Sequence, residues 1–413
     1  MTSSTTTALL SRKGVLTWSA VLLTVGLTTS ACQSVTPDAA AQGTPSASAS
    51  ASASTTTSPA AAVTITPRDG AKSVRPDAPV TVKASNGTLS EVTMTAASGA
   101  SIEGELSADK SVWTATGGLK PKTTYTVTAK AENADGASTS TTSTLRTLTP
   151  KDTANYTVIP SSGVVGVGMP VVIQFVSPVD KDKRADIEKR VTVSATPAVK
   201  GTWGWLDGRQ LIFRPSKYWK SGSKVHVTAD VAGIETKKDL WTATNADTTF
   251  TVGSAMISTV NTQTHRMTVT QNGKVLRTLK VSTGRPGSKT ETRSGIKVIL
   301  SRESEHTMDS TTVGIPKGQP GYYRLKTEWA MRLTWSGEFL HSAPWSVGSQ
   351  GSANVSHGCT NLSPSDAKWL FDHSKMGDVV KFVGSSRGLE EYNGYTMWNQ
   401  TAAQWGQKSA LAS

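Results

Sequence analysis

The chain of 413 residues carries 43 Lys and Arg against 30 Asp and Glu, for a formal charge of +13. Its length accommodates about two to four domains, each large enough for a core of its own. The basic balance calls for a polyanionic partner, yet no zinc-ligand spacing, helix-turn-helix pattern or Arg-rich run points to nucleic acid, which leaves anionic wall polymers or lipid headgroups.

At the start, Arg12-Lys13 precede an apolar stretch from Gly14 to Leu27, and Thr28-Thr29-Ser30-Ala31 lead into Cys32. This reads as a charged region, an apolar region and a small-residue cleavage site. Residues 1–32 resemble a lipoprotein signal peptide with Cys32 as the lipidated residue, although Thr29 stands where such signals usually have leucine. An uncleaved membrane anchor is the alternative, for which the stretch is short and Thr-rich. Either way the bulk of the chain is expected outside the cytoplasm, held at the membrane. Residues 33–62 are Ala, Ser, Thr, Pro and Gln with almost no charge. Such a segment buries too little to order itself and reads as a flexible tether reaching roughly 30 Å.

From Ala62 the pattern becomes short alternating runs broken by turn residues, such as Val63-Thr64-Ile65-Thr66 and Tyr125-Thr126-Val127-Thr128-Ala129. That is the signature of an all-β sandwich. A second copy follows. Pro79-Val80-Thr81-Val82 has a counterpart in Pro170-Val171-Val172-Ile173, and Tyr125-Thr126-Val127-Thr128-Ala129 has one in Val225-His226-Val227-Thr228-Ala229. We expect sandwiches over 63–148 and 149–252, with His226 as a packing or surface histidine.

The third domain, 253–383, opens with two alternating runs around Gln271-Asn272-Gly273, a strong hairpin signal. Further on comes Ser356-His357-Gly358-Cys359-Thr360-Asn361, with His341 fifteen positions before Ser356. A free cysteine is about a few per cent thiolate at neutral pH, and a neighbouring imidazole that takes its proton makes it a nucleophile. Gly358 lets the backbone approach a substrate carbonyl and point amides at it. A lone cysteine is most often a small buried hydrophobe. Here the adjacent Gly, the polar Ser, Thr and Asn and the exported setting argue against that reading. If Cys32 is lipidated, Cys359 is the only remaining thiol and no disulfide forms within the mature chain. Spacing alone leaves both His341 and His357 open as the base.

After this motif, Ser363-Pro364-Ser365-Asp366 places an N-cap, a proline at N1 and an acidic residue at N3, which predicts a helix through Phe371 that Gly377 stops. Val379-Val380-Lys381-Phe382-Val383 returns to strand. Residues 384–413 carry Trp398 and Trp405 and read as a tail packed on the third domain, with carbohydrate stacking as the other option.

The motif and its spacing from His341 resemble the signature of the L,D-transpeptidases, the YkuD-type cysteine enzymes of the bacterial cell wall. The runs 302–310 and 341–348 and the Trp-rich tail agree, so that the resemblance covers roughly residues 63–413. It implies a mainly β fold: two Ig-like β-sandwiches, then a YkuD-type β-rich catalytic domain with a short helix after the nucleophile and a Trp-rich C-terminal tail. It implies that Cys359 attacks the third residue of a donor tetrapeptide stem, expels the terminal D-alanine and forms a thioester. The side-chain amine of the third residue of an acceptor stem, usually meso-diaminopimelate, then resolves it into a 3→3 crosslink. The resemblance assigns His341 as general base and the carbonyl of Ser342 as the group that fixes its tautomer. The amides of Gly358 and Cys359 with the Tyr323 hydroxyl would form the oxyanion hole. Met308, Trp345, Ser356, His357 and Asn361 would line the substrate cleft, beneath a lid from about Ser301 to Tyr322. Acylation by carbapenems is a further expectation. No cofactor or metal is implied, since the six histidines show neither an H-E-x-x-H pattern nor a Cys/His cluster. A same-site L,D-carboxypeptidase and a non-enzymatic wall-binding protein are the alternatives.

Overall fold

The computed structural model describes residues 57–287 and 289–412. The signal-like segment with the expected lipid site Cys32, and the tether through residue 56, lie outside the described residues. Among the described residues no helix is long and apolar enough to cross a membrane.

Strict alternation builds the first sandwich. Along Thr124–Glu132, Tyr125, Val127, Ala129 and Ala131 are buried while the intervening threonines face outward, where Thr128 meets Thr142 at 3.2 Å. Two four-stranded sheets close over Val82, Leu89, Met94, Trp113 and Leu145. The second sandwich repeats this plan. In both, the strand read as the first counterpart, Thr81–Ser85 or Val171–Phe175, is second in one sheet. In both, the second counterpart, Thr124–Glu132 or Lys224–Ala229, is third in the other. A small three-stranded sheet made by Asp152–Ala154, Glu235–Lys237 and Leu240–Thr242 is added in the second unit. Arg75 joins the two sandwiches by pairing with Glu235 at 3.0 Å and lying 4.9 Å over the Trp241 ring.

The third domain holds two sheets around one core. The five-stranded sheet runs in the order Lys274–Lys280, Arg266–Gln271, Met256–Asn261, Val379–Val383, Gly295–Val298. Its hairpin turns at Asn272 and Gly273, both with positive φ, as the Asn-Gly pair predicts. The four-stranded sheet runs Ser301–Asp309, Arg324–Arg332, Phe339–Ser342, Thr360–Leu362. Val260, Met267, Val269, Met331, Leu340, Leu362 and Phe382 fill the space between them with Leu370 of the helix Pro364–His373. Ser363 caps that helix by accepting from the Asp366 amide. The helix ends at His373, earlier than the expected stop at Gly377, which instead makes a turn with φ of +89° against Met169 of the second sandwich.

One reading from sequence needs correction. The tail does not pack on the third domain alone. It begins there, with Ser294 pairing across to Arg387 and Leu389, and then crosses to the second sandwich. The Trp398 indole donates to the Gly168 carbonyl at 2.8 Å, and Arg214 reaches the carbonyls of Met397 and Gln400 at 3.0 and 3.2 Å. Trp405 is fully buried on Gly204, where a Cβ would press on its ring. Val298, Leu300, Val379, Trp398 and Trp405 thus share one continuous core with Val171, Phe213 and Val225. The missing signal is that a sequence shows which indoles are apolar but not which neighbour buries them.

Candidate active site

Strand pairing brings the two reactive residues onto neighbouring segments of one sheet, where both line one cleft. Phe339–Ser342 runs parallel to Thr360–Leu362, with His341 opposite Asn361, so Cys359, the residue just before the second strand, falls level with Phe339, two positions before His341. The turn into that strand is tied down locally. The Ser356 hydroxyl accepts from the Gly358 amide at 3.1 Å and donates to the Cys359 carbonyl at 2.6 Å. Thr292 donates to the Gly358 carbonyl at 2.7 Å. Gly358 has φ of +129°, a conformation open to glycine and strained for side-chain-bearing residues.

Cys359 is half-buried among Met308, Tyr323, Leu325 and Phe339. Its thiol donates to the Gly337 carbonyl at 3.6 Å. Burial pushes it up to about 12, against the pull of the Phe339 backbone amide, which is directed at the sulfur. His341 is 4% exposed, and burial lowers it to about 4. Its Nδ1 lies 2.8 Å from the Ser342 carbonyl, which can only accept, so Nδ1 carries the hydrogen and Nε2 is left as the basic nitrogen. Thr327 supports the arrangement, donating to the same carbonyl at 2.5 Å and standing 3.1 Å from Nδ1. Nothing in the sequence singled out Thr327; only the pairing of its strand with Ser301–Asp309 and Phe339–Ser342 brings it there.

A cleft of about 360 Å³ opens over the pair and is lined by Met308, Tyr323, His341, Trp345, Cys359 and Asn361, with Ser356 and His357 also at its wall. The structure therefore gathers these expected residues in one place, with the Ser342 carbonyl against His341 Nδ1 and Gly358 buried. Tyr323 holds its phenol proton strongly, burial pushing it up to about 12, so its hydroxyl remains a donor. Trp345 is 56% exposed, with its ring 6.0 Å from that of His341. Asn361 is buried, and its amide donates to the Ser346 hydroxyl at 3.0 Å, which pins the turn Pro344–Ser349. His357 packs 5.3 Å from the Tyr323 ring at the rim, and burial, then Arg285, lowers its basicity.

Two expectations change in detail. The amide of Gly358 is occupied by Ser356, whereas that of Cys359 donates to no protein acceptor among the described residues. The segment read as a lid from Ser301 is a strand as far as Asp309, paired with Arg324–Arg332 everywhere but at Ser304. Its alternation of polar side chains concealed a strand with one exposed face, and the covering loop runs from Ser310 to Tyr322, anchored where Ser310 and Tyr323 exchange hydrogen bonds of 3.0 Å.

The L,D-transpeptidase catalytic domain family matches residues 255–382, and a bacterial Ig domain family matches residues 71–235. The chain is 39% identical over 346 residues to L,D-transpeptidase 2 of Mycobacterium tuberculosis strain CDC 1551 / Oshkosh, covering 83% of this chain and 84% of that one. It is 32% identical over 345 residues to L,D-transpeptidase 5 of Mycobacterium tuberculosis strain H37Rv, covering 82% and 74%. Among solved structures, L,D-transpeptidase 3 from Mycobacterium tuberculosis in complex with a faropenem-derived adduct is 32% identical, with a TM-score of 0.47 over 56% of this chain and 97% of that chain.

Proposed function

The chain belongs to the L,D-transpeptidase family, and from that premise we propose that it forms 3→3 crosslinks between peptidoglycan stems through a thioester on Cys359. Enzymes of this family act on peptidoglycan stem peptides. The observation that carries the finer reading is the bond from His341 Nδ1 to the Ser342 carbonyl, which leaves Nε2 basic in the cleft that Cys359 also lines.

Because burial disfavours charge on both partners, thiol and imidazole rest neutral, and the proton moves as the carbon–sulfur bond forms. The Cys359 sulfur attacks the carbonyl of the donor's third residue, and its proton passes to His341 Nε2. The oxyanion is met by the Cys359 amide and the Tyr323 hydroxyl, with Gly358 available only if Ser356 releases its amide. Each such donor contributes about 3 kcal/mol in related chemistry. The carbon–nitrogen bond to D-alanine then breaks, and the leaving amine takes the proton from Nε2. An acceptor amine repeats the sequence in reverse: it attacks the thioester, gives its proton to Nε2 and releases the sulfur, which is reprotonated. Trp345, His357 and Met308 shape the wall along which the stem lies. The same reading ties the ectodomain to the outer face of the cell membrane through Cys32, with the sandwiches as spacers and anionic wall polymers drawn by the basic charge.

Mass spectrometry of purified tetrapeptide stems tests this reading. Loss of D-alanine with formation of a crosslinked dimer is the expected result. A tripeptide alone, with an acceptor stem present, would assign the site to a carboxypeptidase.

A further inference from the structure

Next to the nucleophile lies a buried charged cluster that the acyl-transfer steps leave unused. Lys297, 1% exposed on Gly295–Val298, places its Nζ 2.5 Å from Glu338, itself 3% exposed. The other Glu338 oxygen accepts from the Arg293 amide and from Arg293 Nη1, both at 3.0 Å. Arg293 continues to Glu390 of the tail. Burying such ions is costly before pairing, and an apolar group of similar volume often serves stability as well. What distinguishes this cluster is its place. Glu338 stands between Gly337, whose carbonyl receives the Cys359 thiol, and Phe339, whose amide is directed at the same sulfur. Its side chain packs against Gly358, where a Cβ would come within 3.7 Å of Glu338 Cγ. Its backbone is fixed further by Thr334 Oγ1 at 2.9 Å and by the Leu333 amide at 2.8 Å.

We propose that Lys297 and Glu338, together with Arg293, are positioning residues for Cys359, holding the Gly337–Phe339 backbone against the sulfur and setting the charge it meets there. The proposal rests on Cys359 being the nucleophile. The charges acting on the sulfur are Lys297 and Arg332, which favour the thiolate, and Glu338, which opposes it. Tyr323, His341, His357 and Arg285 are the other titratable or charged groups lining the cleft, and Asp309 lies beyond Tyr323.

The test is alkylation of the full chain by iodoacetamide across pH, with the adduct assigned to Cys359 by peptide mass spectrometry. Lys297→Met should slow alkylation about three- to tenfold along the rising part of the profile, and Glu338→Gln should accelerate it by a similar factor. The double variant should return close to the starting profile, while acylation by a carbapenem falls in all three because the backbone contact with the sulfur loosens. A role confined to stability would move both single variants in one direction, and that outcome overturns the proposal, as do unchanged profiles in variants that melt like the parent. Should Lys297→Met not fold, Glu338→Gln decides alone: alkylation that is slower or unchanged refutes the proposal. Absence of any adduct on Cys359 in the parent chain, with adducts elsewhere, would instead refute the nucleophile assignment.

Discussion

His341 donates its Nδ1 hydrogen to the carbonyl of Ser342, the residue that follows it, at 2.8 Å. The bond uses the backbone of the same strand, so the ring orientation is built into Phe339–Ser342 and needs no carboxylate partner. Sequence reasoning had the imidazole raise the resting thiolate fraction. Burial makes the opposite state the stable one, with His341 lowered to about 4 and Cys359 raised to about 12. His341→Ala should therefore slow acylation by about 10²–10⁴, the usual contribution of a positioned base. It should leave the pH profile of iodoacetamide alkylation almost in place, because the imidazole does not hold a thiolate at rest. Stopped-flow acylation and alkylation profiles of the same variant check this, and a profile displaced by a full pH unit would restore the ion-pair picture.

Cys359→Ser should fold like the parent and form no covalent carbapenem adduct. A serine alkoxide is far harder to generate than a thiolate beside the same weak base. Circular dichroism and intact-protein mass after incubation give the answer; a stable adduct on the serine variant would remove Cys359 from its role.

Legibility followed the range of the interactions. Period-two alternation, the Asn272-Gly273 turn and the Ser363 cap act within a few residues, and each appears where the chain predicts it. The cleft residues were legible because the motif places Cys359 at the start of one strand and His341 on its parallel neighbour. Thr327, Lys297 and Glu338 were not, since their roles arise only from strand pairing and burial between segments distant in sequence. The tail was half read for the same reason: Trp405 is plainly apolar, but its burial on Gly204 depends on how two domains meet.

The shared core between the second sandwich and the catalytic domain predicts an asymmetry in truncation. Removing residues 1–148 should leave a soluble chain that acylates at close to the parent rate, since the first sandwich has its own core. Removing residues 1–252 should give insoluble protein, because Trp398 and Trp405 lose the surface that buries them. Trp405→Ala in the intact chain should cost about 3–5 kcal/mol. Thermal melts and acylation assays of the three proteins check this, and a well-folded 253–413 fragment would show the shared core to be dispensable.

Asp378 gives a pH-dependent prediction with a definite sign. It is buried at the junction where a Cβ on Gly166 of the second sandwich would strike it. One carboxylate oxygen accepts from the Lys375 amide at 2.7 Å, and the other finds no partner among the described residues. Burial raises the group from 3.8 to about 7, outweighing the Lys375 amide and the charges of Lys375 and Arg302. With the folded value above the unfolded one, the native state keeps a proton that the unfolded chain has lost between about pH 4 and 7. The contribution to stability is thus full below pH 4 and declines as pH rises through 7. Asp378→Asn retains an oxygen for the Lys375 amide and removes the charge. It should raise the melting midpoint by about 4 °C at pH 8 and leave it nearly unchanged at pH 4. Differential scanning calorimetry at the two pH values is the measurement. A midpoint at pH 8 equal to or below that of the parent would mean that the carboxylate is ionised and satisfied at the junction, with Arg302 or solvent supplying the missing partner.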